Sequence, residues 1–149
     1  MLETFTDCEK KQKMQMIKDL ENAYKLKLES GLDVKVTCGD SSFACSKFML
    51  IARSPVFSSM FQSNMKESQT NTVHIEDLEP TVVAEMLHYI HTGIAPNIKE
   101  ETPLLLVAAD RYELDDLKTS CEEELIATLN SKNMFQLLIL SEMHSAEIA

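Results

Sequence analysis

Residues 43–67 read FACSKFMLIARSPVFSSMFQSNMKE, and this stretch decides the fold. It predicts two short helices separated by a fixed break at Ser54-Pro55. The first takes Phe48, Met49 and Ile51-Ala52 as its apolar positions. In the second, Val56, Phe57, Met60 and Phe61 fall at i, i+1, i+4 and i+5, on one helical face. Ser54 offers an oxygen to the first free N–H groups of that helix. Pro55 suits the first helical position, where its missing N–H would have had no partner. Upstream, residues 33–38 (DVKVTC) alternate polar and apolar, as a half-buried strand does. Gly39-Asp40-Ser41-Ser42 reads as a turn and Phe43-Ala44-Cys45 as the returning strand of a hairpin. Thr72-Val73-His74-Ile75 supplies a third strand.

Everything else has helical spacing. Residues 1–13 read as a flexible polar lead. From Met14 the positions Ile17, Leu20, Ala23/Tyr24 and Leu28 keep one apolar stripe among Lys and Glu, and Gly31 ends that region. Such a helix needs a partner for its stripe, either its own domain or a second chain. Pro80 opens a helix carrying Val83, Met86, Leu87 and Ile90, which Gly93 closes with Pro96 just beyond. Thr102-Pro103 opens the next, with Leu104, Leu105, Ala108 and Tyr112 inward. Leu114, Leu117, Cys121 and Leu125 mark another, with Asp115-Asp116 in its negatively preferring first turn. Asn130-Ser131 caps a last helix with Met134, Leu137 and Leu138. A three-stranded sheet with about six helices is an α+β architecture.

Composition narrows the function. The 149 residues allow one domain with a sizeable core. A formal net charge of −10 with no basic stripe argues against a nucleic-acid partner, since a phosphate backbone would be repelled. The short cluster Lys10, Lys11 and Lys13 reads as a solvated face. No run approaches the about 18 apolar residues of a membrane span. Cys8, Cys38, Cys45 and Cys121 have no C-x-x-C spacing, and no secretory signal precedes them, so reduced thiols in an intracellular setting are the simplest reading. Cys38, Cys45 and Cys121 lie in apolar contexts that suit small core residues. No G-x-S-x-G elbow, G-x-G-x-x-G or phosphate loop is present. Glu85, His88 and His91 form E-x-x-H-x-x-H on one helix, but not the H-E-x-x-H of zinc proteases, and no cysteine stands nearby in sequence to complete a site. No catalytic residue, metal or cofactor is called for.

The opening segment resembles the centre of BTB/POZ domains: a strand, A-H-K, an apolar helix, then A-R-S-P-V-F and M-F. Further on, IEDLEP at 75–80 resembles that family's third strand and the start of the helix after it. MLHYIHTG at 86–93 resembles M-L-x-Y-I-Y-T-G, and LLLVAADRYELDDLKTSCE at 104–122 resembles L-L-x-A-A-D-K-Y-x-L-x-x-L-K-x-x-C-E. TGIAPN at 92–97 and LILSEMHSA at 138–146 look like segments of the speckle-type POZ subfamily. The resemblance covers residues 14–149, with 14–129 as the BTB/POZ domain and 130–149 as part of a 3-box.

The resemblance implies a homodimeric interaction module rather than an enzyme. For that subfamily it implies the cullin-3-binding part of a ubiquitin-ligase substrate adaptor, working in the nucleus, the cytoplasm or both. Substrate would be captured by a separate MATH domain, for which there is no room in the residues before Met14. The family's apolar-x-Glu cullin motif falls on Met65-Lys66-Glu67, with an apolar anchor for a pocket and a carboxylate to accept hydrogen bonds at its rim. The alternative there is a helix end followed by a solvated Glu. Thr92, Ile94 and Asn97 match a second edge of the cullin contact. Leu138, with Met134 and Leu137, lines the groove or is ordinary core. Ile17, Leu20 and Tyr24 match the dimer helix. Asp33 and Lys47 match paired charges near the dimer interface; unrelated surface charges are the alternative. Three departures stand out: Cys45 for Ala, Ser46 for the His of A-H-K, and His91 for the Tyr of Y-T-G. That Tyr lies close to the cullin contact in related domains. A dimerisation module without cullin, forming mixed dimers or recruiting corepressors, is the other function compatible with these residues.

Overall fold

The computed structural model describes residues 6–26, 32–62 and 69–129. Its elements follow in the order α1 (Asp7–Lys25), β1 (Val34–Cys38), β2 (Ser41–Cys45), α2 (Lys47–Arg53), α3 (Pro55–Met60), β3 (Thr72–Ile75), α4 (Pro80–Thr92), α5 (Ile98–Glu101), α6 (Leu104–Arg111) and α7 (Asp115–Leu129). The expected α+β architecture is observed. The sheet order is β2-β1-β3, with β1 antiparallel to β2 and parallel to β3. The hairpin turn is shorter than the sequence suggests. Cys38 pairs with Ser41, so only Gly39 and Asp40 bridge the strands. Gly39 sits at φ 57, a left-handed conformation that the first position of such a turn assigns to glycine.

The alternation in β1 buries Val34, Val36 and Cys38 on one face. Val73 and Ile75 of β3 extend that face, and α4 covers it with Val82, Val83, Met86, Leu87 and Ile90. Leu105, Ala108, Ala109, Leu117 and Cys121 close the core from the α6–α7 side. Tyr112 stacks on Phe57 with ring centroids 4.7 Å apart, which locks α3 against the end of α6. Ser54 reinforces the joint: its hydroxyl accepts from the Phe57 N–H at 3.2 Å and donates to the Tyr112 carbonyl at 2.7 Å. Gly93 ends α4 at φ 87, as its C-cap role requires.

Several local expectations change. α1 starts at Asp7 rather than near Met14, because Thr6 and Glu9 form a reciprocal capping box. Residues 7–13 are therefore helical rather than part of a lead. In α2 the buried residue is Leu50, whereas Phe48 is 77 % exposed. A helix of two turns lying on a core can bury only one narrow face, and Phe48 falls off it. Leu104 is likewise exposed, while Leu105, Ala108 and Tyr112 point inward as expected. Cys38, Cys45 and Cys121 are buried free thiols, and burial pushes the pKa of Cys121 up to about 11. Among the described residues, no helix is long and apolar enough to cross a membrane, and no group of His, Cys, Asp or Glu could hold a metal ion.

Candidate interaction site

Two surfaces meet at α4. The first is α1, which packs against α4. Tyr24 stacks on His91 with centroids 4.6 Å apart and meets His88 edge-on at 5.8 Å. Ile17 reaches Gly93, where an added Cβ would lie 4.0 Å from its Cγ1. Glu21 faces His88, Oε2 to Nε2 at 3.7 Å. Burial pushes the Tyr24 phenol above its ordinary range, so it is neutral throughout the physiological range. Despite these contacts, no residue of α1 is fully buried. Ile17, Leu20 and Tyr24 are half-buried, and Met14 and Met16 are more than half exposed.

His91 is 4 % exposed, and both its ring nitrogens are engaged. Nδ1 donates to the Leu87 carbonyl at 2.7 Å, and Nε2 accepts from the Ser46 N–H at 2.9 Å. That pattern is the neutral ring with its proton on Nδ1. His91 is thus tied to position 46 through the backbone N–H there, not through the Ser46 side chain. Ser46 also caps α2 by accepting from the Met49 N–H.

The second surface is the turn after α4. His88 Nδ1 donates to the Ile94 carbonyl at 3.0 Å. The Thr92 hydroxyl donates to the His88 carbonyl at 2.7 Å and accepts from the Ile94 N–H at 3.3 Å. Glu85 accepts from both the backbone N–H of Asn97 at 2.6 Å and its Nδ2 at 3.1 Å. Ile94 is half-buried and Asn97 exposed, so both can meet a partner. Thr92 cannot in this arrangement. It is 0 % exposed and its hydroxyl is spent inside the chain, so it shapes the turn instead of touching across it.

Asp33 and Lys47 come together, but not as a buried ion pair. The Asp33 carboxylate accepts from the Lys47 backbone N–H at 2.9 Å, at the start of α2. The Lys47 ammonium instead reaches Asn71 Oδ1 at 3.5 Å and lies 5.3 Å from the Phe61 ring centre. A carboxylate at a helix start satisfies N–H groups that the helix itself leaves free. Met65, Glu67, Leu138, Met134 and Leu137 lie outside the described residues.

Comparison with known proteins decides the family: residues 22–129 match the BTB/POZ domain. The chain belongs to the BTB/POZ family. Solved structures agree on the fold. The BTB domain of zebrafish PATZ1 superposes with a TM-score of 0.59 at 24% identity, over 82% of this chain and 96% of that one. The BTB domain of human Gigaxonin does so with a TM-score of 0.57 at 21% identity, over 83% and 97%. The family is one of protein-interaction and dimerisation modules. For this BTB domain, the elements that could serve interaction are the part-covered face of α1 and the braced turn at residues 93–97. The bracing by Glu85 escaped sequence reading because its partner lies twelve residues away, beyond a turn. The available signal was an acidic residue among Val82, Val83, Met86 and Leu87, a place where a carboxylate must find donors.

Proposed function

We propose that this BTB domain forms a homodimer through α1 and acts as the cullin-3-binding part of a ubiquitin-ligase substrate adaptor, with the substrate read by a domain outside this chain. The observation that carries the reading is the turn at residues 94–97, which offers Ile94 and Asn97 to solvent in a fixed shape. The sequence after α3 adds Met65-Lys66-Glu67. A preformed edge with one apolar and one amide contact, together with an apolar anchor and a rim carboxylate, suits a helical partner surface. The mechanism is proximity: two linked domains bring two ligase arms to one substrate, and other subunits perform the ubiquitin chemistry.

A second reading is dimerisation without cullin. It is favoured by His91, which stands where related domains place a Tyr near the cullin contact and which here is buried against Tyr24. Calorimetric titration with the N-terminal domain of cullin-3 separates the two. Under the adaptor reading, binding is tight and Glu67→Lys weakens it at least tenfold, about 1.4 kcal/mol. Absence of binding leaves the dimer as the activity. Binding indifferent to Glu67→Lys retains the adaptor and rejects its rim acceptor.

A further inference from the structure

Glu85 is 5 % exposed. Among the described residues its carboxylate meets no cation; it is held by two N–H donors, both from Asn97. A buried carboxylate is costly unless its hydrogen bonds are good, and bonds to a charged acceptor are the stronger kind. An apolar side chain would fill the same place without that cost. What Glu85 adds is geometry. It grips the backbone and the side chain of one residue together, fixing the far end of the turn, while His88 and Thr92 fix the near end through Ile94. Glu85 and His88, one helical turn apart, thus brace both ends of a single exposed segment.

We propose that Glu85 is a positioning residue for the partner edge, its buried carboxylate holding Asn97 and the turn at 94–97 in the shape that cullin-3 meets. This rests on the cullin reading above. Glu85 touches no partner itself and acts through Asn97.

The test compares the wild type with Glu85→Ala and with the exchanged pair Glu85→Gln/Asn97→Asp. In the exchanged pair the oxygen of the introduced glutamine can accept the backbone N–H at position 97, and its amide can donate to the introduced carboxylate. Three quantities are read: hydrogen exchange at the backbone amide of position 97, affinity for the cullin-3 N-terminal domain, and sedimentation of the free protein. Glu85→Ala is expected to lose protection at that amide and to bind cullin-3 at least tenfold more weakly, with sedimentation unchanged. The exchanged pair is expected to recover most of the lost amide protection, which assigns that loss to the grip of residue 85 on residue 97; its affinity is not compared, because Asn97 is itself a contact of the proposed edge. If Glu85→Ala fails to fold, the isosteric Glu85→Gln carries the same comparison, with a loss of threefold or more expected. Wild-type affinity in Glu85→Ala together with lost protection at the amide of position 97, or unchanged protection in that variant, overturns the positioning role alone. Absence of wild-type binding overturns both the role and the cullin reading, and the amide exchange then reports only how the turn is held.

Discussion

Helices α1 and α4 lie against each other but are made stable in opposite ways. α4 has thirteen residues, and eight of them are buried. α1 has nineteen, and none is. Most helical stability in proteins comes from packing of an apolar face, so α4 is fixed by the core it covers. α1 depends instead on its capping box, on acidic residues in its first turn and a lysine in its last, and on one-sided contact through Tyr24 and Ile17. A long helix so lightly held, with Met14 and Met16 outward, is suited to a further partner surface. The difference separates a scaffold element from an interaction element within one pair of neighbours.

The contrast breaks first if truncation costs are alike in the two helices. Leu87→Ala, at a fully buried position of α4, is expected to lower unfolding free energy by about 2–5 kcal/mol. Leu20→Ala in α1 should cost well under half of that in the same denaturant titration, run at a concentration where the protein is monomeric. Equal losses would show that α1 belongs to the core. The next effect is on association. Leu20→Asp should convert a dimer at tens of micromolar into a species of 16.9 kDa by sedimentation, with little change in far-ultraviolet circular dichroism. A variant that remains dimeric would place the interface elsewhere.

The smallest effect concerns the capping box. Hydrogen bonds from the backbone and side chain of Thr6 hold the Glu9 carboxyl below its ordinary value of 4.5. A carboxyl lowered in the folded state stabilises it above the unfolded value, and that contribution is lost as pH falls through the folded value. Helicity from the start of α1 should therefore decline as pH falls below the unfolded value and through the lowered folded one. Glu9→Gln should show less of this decline. An unchanged pH profile in that variant would assign the loss to other carboxyls.

Much of the architecture was legible in residues 33–125, because each element announces its own ends. Ser54-Pro55, Gly93 with Pro96, and the alternation in β1 are local signals, and the structure obeys them. The start of α1 was legible as well, in the T-x-x-E spacing of Thr6 and Glu9, but the polar run after it reads as a tail when only apolar periodicity is followed. Phe48 and Leu104 misled for the opposite reason. Both are apolar next to an apolar stripe, and only the direction of the core decides which neighbour is inside. The brace of Glu85 and Asn97, and the bond from the Ser46 backbone N–H to His91, are tertiary contacts between residues 12 and 45 positions apart. Nothing in local sequence sets such partners. Of Glu85, His88 and His91, spaced E-x-x-H-x-x-H on α4, the first two brace the turn after the helix and the third stacks on Tyr24.

The most direct test of the account is sedimentation velocity of this protein mixed with an equimolar amount of the cullin-3 N-terminal domain. A dimeric module with one partner edge per chain predicts a single faster boundary with the mass of two copies of each. Two separate boundaries, one at 16.9 kDa and one at the mass of free cullin-3 domain, would contradict both the dimer and the adaptor.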